Sequence, residues 1–222
     1  MKTPLFDADN LTKVEESGII AVLEVESASN AVAAVDALLA GGITAIELTL
    51  RTAAAIDSIK AIATNRPEMT IGVGTVIFPG QIEQIIEVGA HFAVSPGFNP
   101  VIVDEARRCG LSFAPGIATP SELEGAVSKG CTLLKLFPAE LLGGVEYLRS
   151  MINPYAYLGL SYIPLGGVNL ENLTKWAALK PVVAVGGTWI SPRTLIAEKN
   201  WSEITQRATE AKQTWCEARS VV

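Results

Sequence analysis

Short apolar runs recur along the chain, each followed by a longer amphipathic stretch. The runs are IIAVL (19–23), AIELTL (45–50), TIGVG (70–74), FAVSP (92–96), SFAPG (112–116), LLKLF (133–137), YIPLG (162–166) and VVAVG (182–186). They are short, apolar and often β-branched, with little polar alternation, which predicts strands covered on both faces. The stretches between them are rich in alanine and predict helices. Examples are SNAVAAVDALLAGG (29–42), AAAIDSIKAIATN (53–65), PGQIEQIIEVGA (79–90) and PSELEGAVSKG (120–130). Gly41, Gly89, Gly110 and Gly130 stand where helices are expected to stop. Ser121 with Glu124 three residues on has the spacing of a capping box.

Eight strands alternating with helices define a parallel α/β protein, and eight such units close into a (β/α)8 TIM barrel. No linker rich in proline or serine divides the chain, so residues 1–222 are expected to form one domain. The leading segment 1–18 is expected to form a helix closing the barrel bottom, and 201–218 a final helix. An open doubly wound sheet is the alternative. The absence of G-x-G-x-x-G after the first strand argues against it.

Composition narrows the partners. The chain has 222 residues, 49% of them hydrophobic and 18% charged, with a formal net charge of −6. The pI is about 4.9 and the mean hydropathy +0.35. Neither a nucleic acid nor an anionic membrane is an expected partner for such a chain. The first residues lack the apolar core of a signal peptide, and no apolar run is long enough to span a bilayer. The expected location is the cytoplasm. Cys109, Cys131 and Cys216 are odd in number and match neither a disulfide framework nor a metal motif, so they read as free thiols. The single histidine, His91, opens the fourth predicted strand, at the barrel end remote from chemistry. Metal-dependent reactions generally need several grouped histidine or carboxylate ligands, which one histidine does not supply, and no cofactor is called for.

Barrel chemistry sits at the C-terminal ends of the strands. Side chains alternate faces along a strand. In AIELTL, Ile46, Leu48 and Leu50 suit the helix-facing side, so Glu47 and Thr49 point inward. In LLKLF, Leu134 and Leu136 face the helices, so Leu133, Lys135 and Phe137 point inward. A glutamate and a lysine therefore share the interior. An unpaired buried charge costs several kcal/mol, but two opposite charges in one barrel can pair, and a purely structural ion pair is the alternative to chemistry here. Lys135 is the one lysine within a predicted strand. A buried amine more readily loses its proton and attacks a ketone to give a carbinolamine and then an imine. The imine is an electron sink that permits aldol cleavage without a metal, and Glu47 is the carboxylate at hand for proton shuttling. Arg51, at the end of the same strand as Glu47, carries a planar fork suited to the carboxylate of a 2-keto acid. Two glycine pairs, Gly166–Gly167 and Gly186–Gly187, follow the seventh and eighth strands, where such barrels hold phosphate on backbone N–H groups. Thr188 could add a hydroxyl.

The segments GGITAIELTLRT (41–52), GVGTV (72–76), SPGF (95–98), PGIATPSE (115–122), LKLFPAE (134–140), PLGGV (164–168) and VGGTW (185–189) stand in order along the chain. With them the sequence resembles the bacterial 2-keto-3-deoxy-6-phosphogluconate (KDPG) aldolase / 2-keto-4-hydroxyglutarate (KHG) aldolase family over about residues 15–215. The resemblance implies a class I aldolase, a homotrimer of barrels, with small 2-keto acids and pyruvate as its ligands. It implies that Lys135 forms the imine with pyruvate and that Glu47 is the general acid/base. It implies further that Arg51 and Thr75 hold the pyruvate carboxylate, that Pro96 and Phe137 line the pyruvate pocket, and that Gly166, Gly167, Gly186, Gly187 and Thr188 cradle a phosphate.

The sequence departs from the family pattern at three positions. Leu165 stands where members often have threonine, Thr188 where many have serine, and Glu24 where some have arginine. A carboxylate near the phosphate pocket would repel the phosphate, and a leucine would remove a polar contact. These departures bear on the phosphorylated end of the substrate more than on the pyruvate half. Two other functions use the same residues. A phosphosugar isomerase or epimerase would employ Glu47 and Lys135 for proton transfer alone, and a metabolite-binding barrel would do no chemistry.

Overall fold

A computed structural model describes residues 3–220. Its strands are β1 (Ile19–Leu23), β2 (Ala45–Thr49), β3 (Thr70–Gly74), β4 (Phe92–Val94), β5 (Ser112–Ala114), β6 (Gly116–Ile117), β7 (Leu133–Leu136), β8 (Ser161–Pro164) and β9 (Val185–Gly187). The helices are α1 (Ala8–Ser17), α2 (Ala28–Ala40), α3 (Ala55–Asn65), α4 (Gln81–Glu87), α5 (Pro100–Cys109), α6 (Pro120–Ser128), α7 (Gly144–Ile152), α8 (Leu170–Ala177), α9 (Arg193–Ala197) and α10 (Trp201–Arg219). A 3-10 turn, Asn153–Leu158, follows α7. No helix among the described residues is long and apolar enough to cross a membrane.

Every strand pairing is parallel. One sheet runs β5-β4-β3-β2-β1-β9 and a second β6-β7-β8. Strands β1, β2 and β3 are buried throughout, as their apolar runs require. The buried side chains divide by strand face. Ala21, Leu23, Ile46, Leu48, Ile71, Val73, Leu134 and Leu136 join the large core shared with the helices. Ile20, Val22, Ala45, Phe92, Val94, Ala114, Leu133, Ile163 and Leu165 form a separate inner cluster, with Phe137 packed against it. Both strands that carry the candidate catalytic residues obey the expected alternation.

Helix α1 covers the N-terminal ends of the strands. Asp7 caps it by accepting from the N–H groups of Asp9 and Asn10. Phe6, just before it, meets the Phe92 ring at 5.5 Å. Asn10 Nδ2 donates to the His91 carbonyl at 3.0 Å and to Ser112 Oγ at 3.1 Å. Gly18 ends the helix in the left-handed region, φ 65°, and a Cβ there would lie 2.0 Å from Trp215 Nε1 of α10. Only glycine meets both conditions.

Two local expectations need correction. The run SFAPG is not one strand: β5 ends at Ala114 and β6 begins at Gly116. Pro115 between them has no N–H to give a ladder, although its carbonyl accepts from the Lys135 N–H at 3.0 Å. The parallel strands are thereby divided between two sheets. The capping box lies two residues earlier than expected, on Thr119 and Glu122. Pro120 takes the first helical position, which leaves Ser121 inside the helix. Glu124 instead accepts from the Tyr155 hydroxyl at 2.7 Å.

His91 ties this end together. Its Nδ1 accepts from the Ile71 N–H at 3.0 Å, and its backbone N–H donates to the Ile71 carbonyl at 2.9 Å. Burial, with Lys13 adding to it, lowers the His91 pKa. The folded protein thus binds this proton more weakly than the unfolded chain, whose histidine titrates near 6.5. The His91 contribution to stability is complete above that pH and declines as pH falls below it. Urea unfolding from pH 7 to pH 5 is expected to show wild type losing stability faster than His91→Asn, so that the gap between them narrows. Parallel profiles would contradict this.

Candidate active site

Glu47 and Lys135 reach the inner face from β2 and β7. Lys135 Nζ lies 2.9 Å from Glu47 Oε1 and 3.1 Å from Oε2. Their side chains are 6% and 5% exposed. Space for the carboxylate comes from Gly74 on β3, where a Cβ would fall 2.0 Å from Glu47 Oε1. Lys135 Nζ also stands 5.6 Å from the centre of the Phe137 ring, whose face favours a cation.

A cavity of about 380 Å³ opens at the C-terminal ends of the strands. Glu47, Arg51, Lys135, Phe137, Gly166, Gly167, Gly187 and Thr188 line it, together with Val22, Leu165, Val168, Asn169 and Trp189. Size alone does not single it out. A cleft of about 460 Å³ lies elsewhere, among Glu140, Glu146, Arg149 and Lys175. The smaller cavity is distinguished by the buried ion pair at its floor.

Arg51 follows β2 and is half-exposed. Its Nε donates to Thr75 Oγ1 at 3.2 Å, and its Nη1 lies 3.6 Å from Glu24 Oε2. Thr75 has φ 63°, a left-handed conformation uncommon for threonine that brings its hydroxyl to Arg51. The turn after β8 is built for backbone exposure. Gly166 and Gly167 have φ 92° and 86°. The turn is fixed from below by the N–H groups of Ala139 and Glu140, which donate to the carbonyls of Leu165 and Gly166 at 2.7 and 3.0 Å. Asn172 Nδ2 adds a bond of 3.1 Å to the Gly167 carbonyl.

Three expected residues stand back from the cavity: Thr75, which meets it only through Arg51, Gly186 and Pro96. Gly186 lies under the Leu165 side chain, which a Cβ would approach to 2.7 Å. The Pro96 backbone lies against Gly116, the parallel partner of Lys135. Glu24 does not face open solvent. Its side chain is 18% exposed, and its Oε1 accepts from Arg193 Nη1 at 2.6 Å. Sequence reasoning missed Asn169, Trp189 and Arg193. The first two adjoin the glycine pairs and were within reach of it. Arg193 meets Glu24 across 169 residues, and no local pattern announces that contact.

The fold and the site define a parallel α/β protein with a buried lysine–carboxylate pair on the inner face of its strands. Comparison with known proteins gives the family. The family model described as Aldolase: KDPG and KHG aldolase matches residues 11–207, and the chain belongs to that family. It is 37% identical over 193 residues to the KHG/KDPG aldolase of Escherichia coli (strain K12), covering 87% of this chain and 90% of that one. Its structure resembles KDPG aldolase from Legionella pneumophila, in which pyruvate was captured at low pH as a covalent carbinolamine intermediate. That TM-score is 0.86, at 33% identity, over 91% of this chain and 97% of that one. The KDPG aldolase of Zymomonas mobilis ZM4 with 3-phosphoglycerate gives a TM-score of 0.84 at 30% identity, over 92% and 95%.

The room beside Gly74 is a direct test of the site. Gly74→Ala would push the Glu47 carboxylate off Lys135. Misplacing a catalytic group by about 1 Å costs about 100-fold in rate. Aldol cleavage by this variant is expected to fall by about that factor while circular dichroism shows a folded protein. Unchanged turnover would contradict the reading.

Proposed function

We propose that this protein is a class I aldolase that cleaves a 2-keto-3-deoxy or 4-hydroxy-2-keto acid to pyruvate and an aldehyde through an imine on Lys135. The observation that carries the reading is the Lys135–Glu47 contact of 2.9 Å, buried at the floor of a cavity that Arg51 also lines.

The chemistry follows from these positions. Glu47 takes a proton from Lys135, which frees the Nζ lone pair to attack the C2 ketone. Proton transfers through Glu47 convert the carbinolamine to the imine and release water. Arg51, oriented by Thr75, pairs with the C1 carboxylate and holds the substrate in register. Glu47 then removes the C4 hydroxyl proton, the C3–C4 bond breaks, and its electrons pass into the imine to give an enamine. The aldehyde leaves, C3 regains a proton, and hydrolysis of the imine returns pyruvate and the free lysine. Phe137 and Pro96 would shape the pyruvate end.

For the aldehyde half we propose KDPG, giving glyceraldehyde 3-phosphate, with KHG, giving glyoxylate, as a second substrate. The left-handed turn at Gly166 and Gly167 supports an anion site, with Gly186, Gly187 and Thr188 across from it. Glu24 lies among two guanidinium groups, so its charge is largely matched. Leu165 still offers no polar contact. An isomerase or epimerase would use the same pair without a covalent step. The carbinolamine captured in the relative from L. pneumophila favours the imine.

We read the described residues, 3–220 of the 1–222 expected to form one domain, as a single domain in which the two sheets complete a (β/α)8 barrel. Support comes from the bridges Tyr162↔Val182 and Leu165↔Gly186, which link β8 to the β9 segment. A cytoplasmic homotrimer is proposed from the family resemblance. Association would cover exposed apolar side chains such as Phe78.

Steady-state kinetics with KDPG and KHG, with pyruvate release coupled to lactate dehydrogenase, tests the reading. Wild type is expected to cleave at least one of the two. Lys135→Met is expected to abolish cleavage, and Glu47→Gln to lower kcat by about 100- to 10,000-fold, the usual loss for an acid–base group. Wild-type protein that cleaves neither substrate, or Lys135→Met protein that retains full turnover, would overturn it.

A further inference from the structure

Arg193 belongs to neither the cavity lining nor the mechanism, yet it is held by two carboxylates. Its Nη1 lies 2.6 Å from Glu24 Oε1 and its Nη2 2.6 Å from Glu26 Oε1. The local sequence explains the arrangement. Past the end of β1 the chain runs Glu24, Val25, Glu26, and Val25 is buried in the large core. Glu24 and Glu26 flank Val25, and both carboxylates reach the one guanidinium fork of Arg193. Pro192, in extended conformation before α9, delivers Arg193 to meet them.

The other oxygen of Glu24 faces Arg51. That contact is 3.6 Å, too long for a hydrogen bond, against 2.6 Å to Arg193. Glu24 is mostly buried, so it relies on these guanidinium groups to balance its charge. We propose that Arg193 is a positioning residue for substrate binding: by engaging Glu24, it keeps that carboxylate from closing on Arg51 and competing with the carboxylate of the keto acid. The chain of contacts runs Glu26–Arg193–Glu24–Arg51–Thr75. Arg193 satisfies Glu24, and Arg51 keeps its charge for the incoming anion. Without Arg193, Arg51 is the remaining cation beside Glu24, and Glu24 becomes an internal rival of the substrate. The inference rests on the proposed role of Arg51 as the carboxylate ligand.

The test is steady-state cleavage of the better keto-acid substrate by Arg193→Ala, Glu24→Gln, the double variant and Arg51→Lys. Arg193→Ala is expected to raise KM about fivefold, the scale of a partly exposed ion pair. Its kcat is expected to stay close to wild type, because the rivalry acts on substrate binding. Adding Glu24→Gln to Arg193→Ala is expected to return KM towards the wild-type value. A merely structural role would lower the melting temperature without this split or this rescue. Arg193→Gln is read in the same way if the alanine variant does not fold. An unchanged KM in Arg193→Ala, or a raised KM that Glu24→Gln fails to restore, overturns the proposal. Arg51→Lys separates the two levels. If it leaves KM unchanged, the Arg51 reading itself fails. If it raises KM while Arg193→Ala does not, the relay alone fails.

Discussion

The Lys135 ammonium and the Glu47 carboxylate meet on the inner face of the sheets, and each is the condition for the other being there. Taking either charge out of water costs several kcal/mol, and removing one partner from such a pair typically costs about 3–5 kcal/mol. The surrounding strands are shaped to that pair. Gly74 leaves room for the carboxylate, and Gly72 leaves room for the Phe92 ring beneath. Leu133 and Ile163 fill the inner cluster around the lysine stem. Apolar residues often replace such buried pairs without loss of stability, so this one is better understood as chemistry than as a fastening.

The two ends of the strands are built on different terms. At the N-terminal ends, α1, Phe6, His91, Asn10 and Ser112 form a closed set of ring contacts and hydrogen bonds. The C-terminal ends carry less regular backbone. Thr75, Gly166 and Gly167 all sit in the left-handed region there. Such conformations expose N–H groups or aim a hydroxyl, and the bonds from Ala139, Glu140 and Asn172 hold them in place. Stability at one end supports an open cavity with charged groups at the other.

Much of this was legible in the sequence because strand alternation is strict. Ile46 and Leu48 flank Glu47, and Leu134 and Leu136 flank Lys135, so the inward direction of both charges follows from their neighbours. The glycine pairs announced the turns that line the cavity. Three things were hidden for physical reasons. The break at Pro115 depends on a single missing N–H within an otherwise apolar run. The start of α6 is set by Pro120, which outweighs the Ser121–Glu124 spacing. The Arg193–Glu24 contact joins distant segments, and only the assembled fold brings them together. Thr75 was singled out by family resemblance, since nothing in its local sequence announces a positive φ.

Borohydride reduction in the presence of pyruvate, followed by peptide mass spectrometry, tests the central claim most directly. If Lys135 is the imine-forming residue, a reduced pyruvyl adduct will appear on the peptide that contains it, and activity will fall in step with the adduct. Folded protein that forms no adduct on Lys135, beside a working control aldolase, would contradict the account and return the buried pair to a purely structural role.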